Sequence, residues 1–139
     1  MIQRIQSIWL LLAAIASLLT FQFSFYSGYK IGNTILNELT SLTASSSLLL
    51  IILAALTGIG SFIAIFLYKD RKTQLRLTII VVILSILSLI IYFSQIKNYE
   101  KGHFSLTAVF AFIIPIFLFL ALRGIYKDQK LVKSLDRLR

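Results

Sequence analysis

Four stretches of this chain are long enough to cross a bilayer and carry no ionisable side chain. Ser7–Phe25, Ser47–Tyr68, Leu77–Phe93 and Phe104–Leu122 contain no Asp, Glu, Lys, Arg or His. A helix needs about 20 apolar residues to traverse roughly 30 Å of hydrocarbon at about 1.5 Å per residue. The third stretch is the shortest, and Ser94, Gln95 and Ile96 can carry it into the interface. No alternation of polar and apolar residues runs through these segments, and a closed barrel would need several more of them. The pattern predicts an all-α integral membrane protein: a four-transmembrane-helix bundle forming one domain over 1–139, with spans at 7–25, 47–68, 77–93 and 104–122. An outer loop at 26–46 and a cytoplasmic tail at 123–139 complete it.

Composition narrows the function classes. The chain is 58% hydrophobic and 14% charged, where soluble domains carry about 25% charged residues. Its charge is lopsided, with 14 Lys and Arg against 5 Asp and Glu. Nucleic-acid binding would need a soluble basic face; here the cations sit in short clusters between apolar runs, so no nucleic-acid partner is expected. The absence of cysteine excludes disulfides, thiol redox chemistry and Cys-ligated metal.

The distribution of cations sets the expected orientation. Arg4, the loop with Lys69, Arg71, Lys72 and Arg76, and the tail with Arg123, Lys127, Lys130, Lys133, Arg137 and Arg139 hold 11 of the 14 basic residues. Lys30, Lys97 and Lys101 lie in the other loops. By the positive-inside rule both termini face the cytoplasm, as an even number of spans requires. The first span is expected to remain as an anchor, because Ala14 and Ala16 lie inside the apolar run and not after it, where a signal peptidase site belongs. Tyr26, Tyr29, Tyr68, Tyr92, Tyr99 and Tyr126 all fall at or just beyond span ends, the depth that suits an amphipathic ring.

Small residues mark helix contacts in a bilayer. The second span supplies Ala54 with Gly58 and Gly60 with Ala64, each pair four apart, and Thr57 with Ser61; Ala13 with Ser17 and Thr107 with Ala111 repeat the spacing in the first and fourth. Packing within one bundle is the plainer reading, a dimerisation face or gate the sharper one. Pro115 removes a backbone donor and crowds the carbonyl of Ala111, which predicts a bend in the fourth helix.

Sites for chemistry are missing. An intramembrane ionisable residue is the usual pointer to an ion or substrate pathway; none is present, and the buried glutamate on which small multidrug exporters depend has no counterpart. Gln22 and Gln95 suit bonds to neighbours or headgroups. His103 stands alone, short of a three- or four-ligand zinc set, so no metal and no cofactor are expected. No GxSxG motif surrounds the serines. Glu38, Asp70 and Glu100 are the residues on which an enzyme would have to rest, and no partner in the sequence supports them; a non-enzyme is expected.

The outer loop, YSGYKIGNTILNELTSLTASSS, reads either as a small hairpin or as an irregular loop with a short helix near Ile35–Leu42. In the tail, Leu131, Val132, Leu135 and Leu138 share one arc at about 100° per residue, with Lys130, Lys133 and Arg137 opposite. Asp128 would interrupt that arc, and as an N-cap it would let a separate amphipathic helix begin near Gln129. Such a helix would lie on the cytoplasmic surface with its basic residues toward anionic headgroups, or would dock on another protein.

The segments MIQRIQSIWLLLA, FLYKDRKTQLRL and FLALRGIYKDQKLVKSLDRLR resemble an uncharacterised family of small four-helix membrane proteins found mainly in Bacteroidota. The resemblance brackets the whole chain and implies four spans and a bacterial inner-membrane address. It supplies no catalytic residue, and it directs attention to Arg4, Lys69–Arg76 and Arg123–Arg139 (Arg139 included) as partner or lipid contacts. The leading expectation is an accessory or assembly subunit of a larger membrane complex, bound to a membrane-protein partner or to a second copy of itself. The alternative is a carrier or flippase for an apolar or lipid-like substrate, which would need a cavity lined by Ser17, Thr57, Ser61, Ser85 and Ser88.

Overall fold

The computed structural model of the chain describes residues 2–30 and 39–136. Each charge-free stretch is largely helical. Helices α1 (Ile2–Gln22), α2 (Leu48–Phe66), α3 (Arg71–Ile96) and α4 (Val109–Asp136) are long and apolar enough to cross a membrane. Local chemistry sets their starts. The Ser47 hydroxyl accepts from the Leu50 N–H at 3.3 Å and opens α2. Asp70 opens α3, taking the Thr73 hydroxyl at 2.7 Å and the Thr73 N–H at 3.5 Å. These caps satisfy donors that the first turn leaves free. A single 3-10 turn at Leu67–Lys69 therefore suffices to join α2 to α3, and α3 begins six residues before its apolar run.

The helices form a ring. Each packs on its sequence neighbour, and α4 closes against α1. The ring leaves large apolar side chains outside and buries hydroxyls inside, beside apolar residues such as Leu10, Leu118 and Ile125. Leu48, Phe66, Leu18, Ile83 and Phe119 are exposed, whereas Ser17, Thr57, Ser61, Thr78 and Ser85 are buried. The buried hydroxyls are satisfied at short range: Thr57 donates to the carbonyl of Leu53 at 2.6 Å, Ser61 to Thr57 at 2.7 Å and Thr78 to Gln74 at 2.8 Å. Ser17 reaches across to the Ala54 carbonyl at 2.6 Å and ties α1 to α2. Small residues let these backbones approach, the device helices use where lipid gives no hydrophobic incentive to associate. A Cβ on Gly60 would stand 2.6 Å from Val81 Cγ2 on α3, and one on Gly58 would stand 3.2 Å from Ser17 Oγ on α1. Ala54 and Ala64 are buried in the two halves of the core. All four small residues thus face inward.

The chain is not purely helical. β1 (Tyr26–Lys30), β2 (Leu39–Leu42) and β3 (Tyr99–Phe104) form an antiparallel sheet in the order β2-β1-β3. β1 pairs with β2 from Tyr26↔Leu42 to Tyr29↔Leu39, and with β3 from Tyr26↔Phe104 to Lys30↔Tyr99, with a bulge between Ser27 and Tyr29. Leu39–Leu42 is therefore strand and not part of a helix near Ile35–Leu42; residues 35–38 lie outside the described residues. Helix α1 stops at Gln22, short of Phe25, because the Phe25 N–H pairs with the Leu42 carbonyl at 2.7 Å and its carbonyl takes the Ser105 N–H at 3.3 Å. For the same reason α4 starts at Val109 and not at Phe104, which is the last residue of β3. Phe25 stacks on Tyr92 of α3 with ring centroids 4.5 Å apart, fastening the sheet to the helices. Helix α4 runs without interruption through Pro115.

The Gly60 contact yields a prediction. Val81 is β-branched and cannot swing away, so Gly60→Ala should destabilise the bundle by about 1–3 kcal/mol, the usual cost of overpacking. Gly58→Ala should cost less, and Val81→Ala should restore most of the loss in a Gly60→Ala background. Thermal unfolding in detergent, followed by circular dichroism, measures all three.

Candidate functional site

The end of the bundle that gathers the starts of α1 and α3 and the end of α4 holds a buried polar knot. Its centre is Asp128, 7% exposed. One carboxylate oxygen, Oδ2, accepts from Gln6 Nε2 at 2.7 Å and from the Arg71 guanidinium at 3.1 Å. Arg71 also points at Gln6 Oε1, 3.5 Å away. The three side chains come from three helices. Gly124, one turn before Asp128, makes room for the approach: a Cβ there would fall 2.7 Å from Gln6 Cγ.

The knot overturns the expected break in the tail. Asp128 does not cap a new helix, because its carboxylate is already taken by Arg71 and Gln6, and α4 continues unbroken to Asp136. Beside the knot lies Gln74, 2% exposed. Its Nε2 donates to the Ala64 carbonyl at 2.9 Å, while its Oε1 has no partner. A network of this kind fixes helix register, its carboxylate paired with a guanidinium.

Around the knot the surface is basic. Lys69, Lys72, Arg76, Arg123, Lys127, Lys130 and Lys133 are exposed, and so is the acid Asp70. Arg71, by contrast, is turned inward, its side chain 16% exposed. Asp70 is held as a carboxylate, its pKa lowered first by the Thr73 hydroxyl and then by the Thr73 N–H. Beyond Asp128 the bundle-facing stripe of α4 (Leu118, Ala121, Ile125, Asp128) runs on into Leu131 and Val132, which are 48% and 51% exposed. Residues Arg137, Leu138 and Arg139 lie outside the described residues, and the side chains of Arg4 and Leu135 are not described.

The space between Ser17, Thr57, Ser88 and Tyr92 amounts to a void of about 10 Å³, room for one water at most. At the sheet end Gln95 Nε2 donates to Ser47 Oγ at 2.8 Å, and His103 is an exposed strand residue opposite Ser27. No group of three or more His, Asp or Glu suited to a metal occurs among the described residues.

Sequence reasoning missed the knot. Gln6 and Asp128 are 122 residues apart, and neither lies in a recognisable motif. The one available signal was an acid placed on the apolar arc of a helix, which is favourable only when something neutralises it.

One protein-family model, described as Domain of unknown function (DUF4293), matches residues 2–138. No curated protein and no solved structure matches the chain.

Two outcomes follow from this geometry. Asp128→Leu leaves the Arg71 charge unpaired at the bundle end and should destabilise by about 3 kcal/mol, the lower range for breaking a buried pair. The double variant Arg71→Met/Asp128→Leu should recover most of that loss, and chemical unfolding in mixed micelles separates the two. Asp70, its pKa lowered by its bonds to Thr73, stabilises the start of α3 fully above the ordinary carboxyl pKa of about 4 and loses that effect as pH falls through the lower folded value. Acid titration by hydrogen exchange should show Thr73 and its neighbours opening in that window; in Asp70→Ala they should be open at neutral pH as well.

Proposed function

Taking as premise that the chain belongs to the DUF4293 family, we propose that it is a non-catalytic, multi-pass inner-membrane protein serving as an accessory or assembly subunit of a larger membrane complex, its two termini in the cytoplasm. The observation that carries this reading is the overrun of α4. Its inward stripe does not stop where the bundle stops, and Leu131 and Val132 stand about half exposed among lysines. A helix face that is apolar and flanked by cations suits a partner with an apolar groove and an acidic rim, since opposed charges steer and orient such encounters. The membrane-protein partner, or a second copy of this chain, would continue the packing that α1 provides below Asp128.

The small space at the expected cavity residues supports this reading over the carrier. A lipid-like substrate needs a cavity of hundreds of cubic ångströms, whereas the space at Ser17, Thr57 and Ser88 is about 10 Å³, and the hydroxyls of Ser61 and Ser85 are spent on the carbonyls of Thr57 and Val82. The cytoplasmic placement rests on the concentration of lysine and arginine at the knot end.

The test has to spare the knot. Removing everything after Leu122 would take away Ile125 and Asp128, both buried, and would conflate unfolding with loss of contact. Leu131→Glu/Val132→Glu in the full-length protein leaves the knot intact. In native membranes, cross-linking followed by purification in a gentle detergent should recover a defined partner or a homodimer with the parent chain and lose at least about nine-tenths of it with the double variant. Recovery of a lone monomer from the parent chain would sink the proposal.

A further inference from the structure

The opposite, outward face of α4 changes character along its length. Phe112, Ile116 and Phe119 are exposed; the next positions on the same stripe are Arg123, Tyr126, Lys130 and Lys133, also exposed. Spacings of three and four residues keep these side chains on one face. At about 1.5 Å per residue, Arg123 lies roughly 21 Å and Asp128 roughly 29 Å along the axis from Val109. A hydrocarbon layer of about 30 Å that began at Val109 would end near Asp128, so Lys130 and Lys133 stand beyond it and Arg123 reaches its edge by extending its stem. Tyr126, 63% exposed, sits between them, with its ring body and polar tip suited to that boundary.

We propose that this face is a binding site for an anionic phospholipid, the phosphate held by Lys130 and Lys133 and the acyl chains running down over Phe119 and Ile116. Tyr126, Gln129, Lys130, Lys133 and Ser134 line an open cleft of about 460 Å³. Among its described lining side chains the polar atoms are ammonium, hydroxyl and amide groups. The adjoining acid, Asp128, faces the other way and is neutralised by Arg71, so it does not compensate the two lysines. An anion that stays at this depth must bring its own apolar anchor, which a phospholipid has and a free phosphate or soluble acidic peptide lacks. The site depends on the chain spanning the membrane; it does not depend on a protein partner.

The probe is the full-length protein reconstituted in nanodiscs of equal phosphatidylglycerol and phosphatidylcholine, with retained lipid counted by native mass spectrometry. The parent chain should retain phosphatidylglycerol preferentially. Each neutralised lysine should weaken retention about fivefold, the factor that corresponds to about 1 kcal/mol per basic residue near an anionic surface. Lys130→Gln/Lys133→Gln should therefore reduce it roughly 25-fold, while Lys97→Gln at the far end leaves it unchanged. Inorganic phosphate in large excess should not compete. Equal retention of the two lipids, an undiminished double variant, or displacement by inorganic phosphate would each overturn the assignment. Failure to retain any lipid would overturn the membrane-spanning reading with it.

Discussion

A carboxylate can lie inside this bundle only because a guanidinium and an amide meet it there. The contact of Asp128 with Arg71 and Gln6 sets the mutual register of α1, α3 and α4, and much else is arranged around it. Gly124 is small so that Gln6 can come close. The α2–α3 turn is tight, with Asp70 as its cap, so that Arg71 enters at the right height. α4 stays helical past the end of the bundle because its one acidic residue on the inner stripe is satisfied where it stands. Desolvating two charges is costly, and a buried pair of this kind contributes little net stability compared with apolar packing. What it supplies is a single answer to how three helices slide past one another, which greasy surfaces alone specify weakly.

The rest of the interior follows the logic of a solvent that does not repel leucine. Many large aliphatic and aromatic side chains point outward, and inside, alanine, glycine, serine and threonine are packed among buried leucines and isoleucines such as Leu10, Leu50, Leu118 and Ile125. The hydroxyls of Thr57, Ser61, Thr78 and Ser85 bond within their own helices, so they let backbones approach without demanding partners across the seam, whereas Ser17 ties α1 to α2. The space between Ser17, Thr57 and Ser88 is too small to be a chamber, and the basic end offers two features to a partner: an inner stripe that outruns its support, and an outer stripe that passes from phenylalanine to lysine.

How much of this could be read from the sequence depends on whether the cause was local. The four helices were legible because freedom from charge over a long stretch is a property of each segment by itself. The inward small residues of α2 were visible as spacings. The pairing of β1 with β2 was visible as one of two readings of the outer loop, a small hairpin, but the third strand was not legible, because β1 meets β3 across about seventy residues and both strands contain glycine, which reads as turn. Helix ends were misplaced by a few residues wherever the sheet claimed the backbone, as at Phe25 and Phe104, or a side-chain cap extended the helix, as at Asp70. Asp128 was the instructive error. Its position on an apolar arc looked like a reason for the helix to stop, since nothing nearby in the chain could neutralise it; the neutralising groups came from Arg71 and Gln6, and no periodicity predicts a partner.

The strand order has a consequence for biosynthesis. β1 is the middle strand, yet it is translated first, and its neighbour β3 follows only after α2 and α3 have been made. One side of β1 can be occupied by β2 soon after emergence, but the other must wait, with its amide groups unpaired, until the third helix has been threaded through. Closure of the sheet is thus a late event that reports on the completion of the three preceding helices, and a ribosome stalled before Tyr99 would leave a chain with an open strand edge, a surface prone to pairing with other chains.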